Sequence, residues 1–224
     1  MIQGVLFDMD GLMFDTERIG RDGWQAAARN LGIAVPESLL VAMRGTGVAQ
    51  CRALFNAAIP GNLYDTARAQ RLQYADAWIE QHGVPVKPGL QALLAWLQTQ
   101  RIPAVLATST GREKALGYLR RAGVEQYFAA AVFGPEVAHP KPEPDIFLAA
   151  AAAIGAAPEH CVVLEDSPNG LQAAKAARCQ AIVVPDLCPV PPRTQHLWDA
   201  CAADLFQVID LLQAMQQPDD RPQA

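Results

Sequence analysis

Three observations predict an α/β chain: a doubly wound, Rossmann-like parallel sheet core with a small helical cap domain inserted after the first strand. Five short apolar runs carry no polar alternation, helical patterns separate the last four, and about ninety residues without a convincing strand follow the first. Strands buried on both faces of a parallel sheet read as continuous apolar runs, and repeated strand–helix alternation winds such a sheet. With 224 residues, 51% of them apolar, the chain can fill one core and a smaller insert.

The expected strands are Val5–Phe7, Ala104–Ala107, Ala131–Phe133, Val162–Leu164 and Ala181–Val184. Leu90, Leu93, Leu94 and Leu97 share one helical face before the second strand, and Ala115, Leu116 and Leu119 do so after it. The apolar run Ile146 to Ala157 reads as a buried helix, too short for a bilayer, and Leu171 to Ala177 as another. Between the first two strands, Ile19, Trp24, Ala28 and Leu31 mark one helix, and Leu72, Ala75 and Ile79 a later one. Pro36, Gly45, Gly47, Pro60 and Gly61 punctuate that stretch. Residues 1–15 with 87–224 are therefore expected to form the core, and residues 16–86 the cap. Pro189 to Arg193 reads as a loop and the last eight or so residues as a loose tail.

Composition narrows the function classes. The 18 basic against 23 acidic side chains leave a net charge of −5, which gives no field for nucleic acid or a membrane surface. The N-terminus runs into Val5 without the basic region of a secretory leader. Cys51, Cys161, Cys179, Cys188 and Cys201 are odd in number and form no C-x-x-C pair, so neither a disulfide scaffold nor a zinc site is expected. Reduced thiols in a cytoplasmic protein are the expectation, with Cys161 and Cys179 as small core residues.

The polar residues cluster after the strands. Asp8-Met9-Asp10-Gly11 follows the first, Thr108-Ser109-Thr110-Gly111 the second, and Glu165-Asp166-Ser167 the fourth. His139-Pro140-Lys141-Pro142 lies before the fourth. Open α/β sheets bind ligands beyond the carboxyl ends of their strands, so these groups should meet in one crevice. Crowded carboxylates need a cation, and hard oxygen ligands suit Mg²⁺. A phosphate would find hydroxyls, helix N–H groups and a lysine, and Asp8 and Asp10 would supply a nucleophile and a second carboxyl for proton transfer. Each piece has a blander reading: Asp-x-Asp-Gly as a turn, Thr-Ser-Thr-Gly and Ser167-Pro168 as helix caps, Lys141 as a solvated lysine. All of these would have to hold together, at successive strand ends and in order.

The segments Val5–Leu12, Leu106–Thr110, Lys141–Phe147 and Val163–Gly170 resemble, in order and spacing, the four motifs of the haloacid dehalogenase-like hydrolase superfamily. The likeness is to its branch of β-phosphoglucomutases and sugar-phosphate phosphatases, and it covers nearly the whole chain. Asp15-Thr16-Glu17-Arg18, Pro135-Glu136-Val137 and Pro168-Asn169-Gly170 are similar to pseudouridine 5′-phosphatases. The resemblance implies a Mg²⁺-dependent phosphomonoester hydrolase acting on a small phosphorylated metabolite, with Asp8 as nucleophile and Asp10 as acid and base. Thr108, Ser109 (through its N–H) and Lys141 would hold the phosphoryl oxygens. Asp8, the Asp10 carbonyl and Asp166 would ligate Mg²⁺, with Glu165 ligating or orienting a metal-bound water. In relatives the bond at the position of Lys141–Pro142 is cis.

Arg44, Gly45 and Thr46 are the candidate specificity residues of the cap. Their stretch lacks the arginine with which the mutases grip a second phosphate, and Gly20 stands where those enzymes carry a histidine. Losing the second-phosphate arginine favours a phosphatase over the alternative, a β-phosphoglucomutase-like phosphomutase. A non-catalytic phosphate-binding regulatory protein is the reading from another class; the presence of Asp8, Asp10 and Lys141 disfavours it. A cap of this size covers the site without a partner subunit, so a monomer is expected.

Overall fold

The first apolar run forms β1 (Gly4–Phe7), every residue of it buried. The chain returns to the same sheet as α5 (Leu90–Gln100), β2 (Ala104–Thr108), α6 (Arg112–Ala122), β3 (Phe128–Phe133), α7 (Asp145–Ala153), β4 (Cys161–Glu165), α8 (Pro168–Ala176), β5 (Gln180–Val183), β6 (Ala200–Cys201) and α9 (Leu205–Gln216). All neighbouring strands pair in parallel, in the order β3-β2-β1-β4-β5-β6. The predicted α/β class therefore holds, and β1 sits at the centre with β2 and β4 beside it. Register aligns Phe7 with Leu106 on one side and Leu164 on the other, so the polar residues that follow these strands emerge at one edge.

This computed structural model describes residues 1–43, 47–187 and 192–216. The chain divides into two compact units, Met1–Met13 with Val86–Ala224, and Phe14–Pro85. The second unit is helical: α1 (Thr16–Leu31), α2 (Glu37–Met43), α3 (Val48–Ala58) and α4 (Tyr64–His82), numbered with the elements above in chain order. Its core gathers Ala28, Leu39, Leu40, Met43, Phe55 and Tyr64, with Trp24, Phe55 and Tyr64 packing in tilted and edge-on pairs at 5.5–6.0 Å between ring centroids. Aromatic pairs at such separations add about 0.5–1.5 kcal/mol each beyond their burial. Among the described residues, no helix is long and apolar enough to cross a membrane.

Several details differ from the sequence expectation. The run Ile146 to Ala157 is not one helix: α7 stops at Ala153, because Ile154 leaves helical geometry and Gly155 adopts a positive φ of 67°. Leu148, expected inside, is 42% exposed. Helices α2, α3 and α9 and the two-residue edge strand β6 were not anticipated. The loop expected at 189–193 and the polar tail fall largely outside the described residues.

Candidate active site

The parallel register brings the ends of β1, β2 and β4 and the loop before α7 to one place. Asp8 follows β1 and donates its N–H to Leu164 O at 3.1 Å, which ties it to the end of β4. Its carboxylate meets Lys141, whose Nζ lies 2.6 Å from Asp8 Oδ1, 2.7 Å from Glu165 Oε1 and 3.2 Å from Ala107 O. An ammonium has three N–H donors, and here each has an acceptor. Phe147 on α7 closes the remaining side, with its ring centroid 4.9 Å from Nζ. Lys141–Pro142 is a cis bond.

Burial is nearly complete: the Lys141 side chain is 7% exposed and that of Glu165 1%. Burial is the largest influence on Asp8 and raises its carboxyl pKa to about 7, against the pull of Lys141 and with repulsion from Glu165 helping. Burial alone would lower the Lys141 pKa, but two carboxylates outweigh it and hold the ammonium above its ordinary value. One cation thus faces two acids.

Glu165 is fixed by its own turn. Its Oε2 accepts from Asp166 N–H at 3.0 Å, Ser167 N–H at 2.9 Å and Ser167 Oγ at 2.9 Å. Ser167 is the N-cap of α8, its Oγ accepting from Gly170 N–H at 3.1 Å, with Pro168 at the first helical position. The structural reading of this pair and the site reading therefore both hold. Gly170 faces the carboxylate so closely that any Cβ there would collide with Glu165 Oε1.

At the end of β2 the Thr108 side chain is buried and Ser109 is exposed. Thr108 Oγ1 accepts from Thr110 N–H at 3.1 Å, which leaves its own hydrogen to donate. Thr110 Oγ1 in turn donates to Asp10 Oδ2 at 2.7 Å. Gly11, at φ 86°, makes the turn after Asp10, and a Cβ on it would strike Asp166 Oδ2.

The structure thus brings Asp8, Asp10, Thr108, Lys141, Glu165 and Asp166 to one end of the sheet, with Ser109 at the rim. Arg44, Gly45 and Thr46 lie outside the described residues. A cavity of about 220 Å³ within the helical unit is walled by Glu17, Gly20, Arg21, Trp24, Arg68 and Arg71. Sequence reasoning missed Thr110 as the partner of Asp10, and the paired Lys87 and Asp186. Nζ of Lys87 lies 2.5 Å from Asp186 Oδ1.

No three acidic, histidine or cysteine side chains among the described residues converge tightly enough to hold an ion unaided. Glu165 has Oε1 engaged by Lys141 and Oε2 by the turn at Asp166 and Ser167. A divalent cation such as Mg²⁺ can be held by one or two carboxylates, its shell completed by waters and phosphate. Asp8, the Asp10 carbonyl and Asp166 could supply such donors. Oδ2 of Asp186 is buried and has no hydrogen-bond partner among the described residues.

A profile of the haloacid dehalogenase-like hydrolase family matches residues 2–178. A phosphorylated carbohydrates phosphatase of Thermotoga maritima is 31% identical over 183 residues, 81% of this chain and 84% of the other. A probable pseudouridine-5′-phosphatase of Drosophila melanogaster is 32% identical over 206 residues, 88% of each. The β-phosphoglucomutase of Clostridium difficile has the same fold, with a TM-score of 0.76 at 19% identity over 96% of each chain. The chain belongs to the haloacid dehalogenase-like hydrolases.

Proposed function

We propose that this protein is a Mg²⁺-dependent phosphomonoester hydrolase that works through an aspartyl-phosphate on Asp8. The observation that carries the reading is the buried pairing of Asp8 with Lys141, two residues before an Asp10 held by Thr110. A buried carboxylate beside one ammonium is poised to attack an electrophile that brings its own negative oxygens to that ammonium.

In the first half-reaction an Asp8 oxygen forms a bond to phosphorus while the ester P–O bond breaks. The Asp10 carboxyl gives its proton to the departing alcohol oxygen. An arriving phosphoryl oxygen would take over the hydrogen that Lys141 gives Asp8, which frees the attacking oxygen as the substrate binds. The Thr108 hydroxyl and Ser109 N–H are the further donors to the equatorial oxygens. In the second half-reaction Asp10, now a carboxylate, takes a proton from the water that attacks phosphorus. The Asp8–phosphorus bond breaks, inorganic phosphate leaves, and both aspartates return to their starting states. Mg²⁺, held by Asp8, the Asp10 carbonyl and Asp166, would supply charge for the phosphoryl oxygens. Glu165 then acts through Lys141 and the turn at Ser167.

The names of the relatives point to a phosphorylated sugar or a nucleotide as substrate. We take the helical unit as the cap that selects it, with Arg68 and Arg71 in its cavity suited to hydroxyl or anionic groups. A monomer in the cytoplasm belongs to the same reading.

The test is phosphate release from a panel of sugar phosphates, nucleotides and pseudouridine 5′-phosphate, with Mg²⁺ or EDTA, beside an Asp8→Asn control. Metal-dependent release abolished in the control is expected. Release that persists in Asp8→Asn would overturn the nucleophile. Conversion of β-glucose 1-phosphate to glucose 6-phosphate without net release would make the protein a mutase.

A further inference from the structure

Asp186 lies just beyond β5, where Val184 N–H donates to Glu165 O at 2.8 Å and keeps the departing chain against β4. Its carboxylate is 7% exposed, and Oδ1 accepts from Lys87 Nζ at 2.5 Å. Lys87 is itself anchored to the segment after β1, through its N–H to Met13 O at 2.9 Å. The other oxygen, Oδ2, is buried and has no hydrogen-bond partner among the described residues. A buried carboxylate oxygen without a donor is unfavourable, and in a native fold it implies a donor that the described residues do not supply.

That oxygen faces the Asp10–Gly11 turn. It lies 3.3 Å from the point where a Cβ on Gly11 would sit, a point that Asp166 Oδ2 also crowds. The Asp10–Gly11 turn is therefore flanked by two carboxylates, one of them in the set that suits Mg²⁺. Asp186 is no substitute ligand: Lys87 already offsets its charge and claims Oδ1. A hydrated cation held by Asp8, the Asp10 carbonyl and Asp166 would bring water O–H donors to this side of the turn, and Mg²⁺ keeps several of its waters.

We infer that Asp186 is a positioning residue whose Oδ2 accepts a hydrogen bond from a metal-bound water, with Lys87 fixing the carboxylate and damping its charge. The inference rests on the reading of the site as Mg²⁺-dependent. Partners of this outer kind orient the shell around a metal, and their loss commonly weakens metal binding about 10–100-fold.

Two variants separate this role from that of a plain ion pair, because the role predicts opposite signs for them. In Asp186→Asn the amide can keep its oxygen on Lys87, but it then turns an N–H₂ donor towards the water. In Lys87→Met the charge of Asp186 is no longer offset, and attraction for the cation rises. Titration calorimetry of the full chain with Mg²⁺, repeated with Mn²⁺, reads the dissociation constant without turnover. We expect Asp186→Asn to weaken binding about tenfold and Lys87→Met to tighten it. Unchanged constants, or parallel weakening in both variants, would overturn the inference while leaving a metal-binding wild-type protein as a phosphatase. A wild-type protein that binds neither ion would remove the Mg²⁺-dependent reading and this inference with it.

Discussion

Thr110 Oγ1 donates to Asp10 Oδ2 at 2.7 Å, a bond that joins the end of β2 to the turn after β1 across 100 residues of sequence. It fixes one oxygen of the group that we propose gives a proton and later takes one. A bond to a carboxylate contributes about 1.5–3 kcal/mol. Thr110→Val keeps the shape and loses the donor. Single-turnover kinetics should show both formation and hydrolysis of the phospho-enzyme slowed, by roughly tenfold or more, with little change in substrate affinity. Unchanged rates would mean that Asp10 is held by other contacts.

Gly170 offers a test in which local and tertiary effects have opposite signs. In the interior of an exposed helix, Gly→Ala stabilises by about 0.5–1 kcal/mol. In α8 the added methyl would collide with Glu165 Oε1, the oxygen that holds Lys141. Gly170→Ala should therefore destabilise the protein by about 1–3 kcal/mol, as overpacking does, and should also raise the KM for substrate by displacing Lys141. Chemical denaturation with a steady-state assay reads both. A stabilised, fully active variant would place Glu165 elsewhere.

How much of this was legible in the sequence follows from the range of each interaction. Strands β1, β2, β4 and β5 announce themselves because burial on both faces leaves only apolar residues. The acids that follow them are legible because parallel strands put their carboxyl ends together. Helix α9 did carry a signal, since Leu205, Val208 and Leu212 are buried at helical spacing. Strand β6 carried none in its two residues. Helices α2 and α3 were hidden by the prolines and glycines around them. The Lys87–Asp186 pair spans 99 positions and neither residue stands in a motif, so only the folded chain joins them. Glu165 illustrates another limit: its sequence neighbours do not show that one oxygen meets Lys141 and the other the turn at Ser167.

Thiol chemistry tests the packing of the sheet independently of the site. Burial raises the Cys161 thiol to about 11 and the Cys179 thiol to about 12, so at pH 8 almost none of either is thiolate, the form that reacts. Cys201 is exposed. Alkylation of the native protein, located by peptide mass mapping, should modify Cys201 and leave Cys161 and Cys179 untouched until denaturant is added. Early modification of Cys161 would mean that β4 is not central.

The raised pKa of Asp8 makes a prediction about stability whose sign can be worked out. The folded protein holds the proton up to about pH 7, whereas the ordinary carboxyl value is 3.8, so folding favours the protonated form. That contribution is fully present below about pH 4 and is lost as pH rises through 7. Lys141 stays charged across this window, because its own pKa is held above the ordinary value, and so adds no slope. Asp8→Asn has no such proton to lose. In EDTA, the Tm of Asp8→Asn minus that of wild type should widen from pH 5 to pH 8, at about 2–4 °C for each kcal/mol in a chain of this size. Saturating Mg²⁺ should narrow the gap at pH 8, because a cation beside the ionised carboxylate stabilises wild type more than the amide. A gap independent of pH would mean that Asp8 ionises at its ordinary value and that Lys141 alone meets its charge.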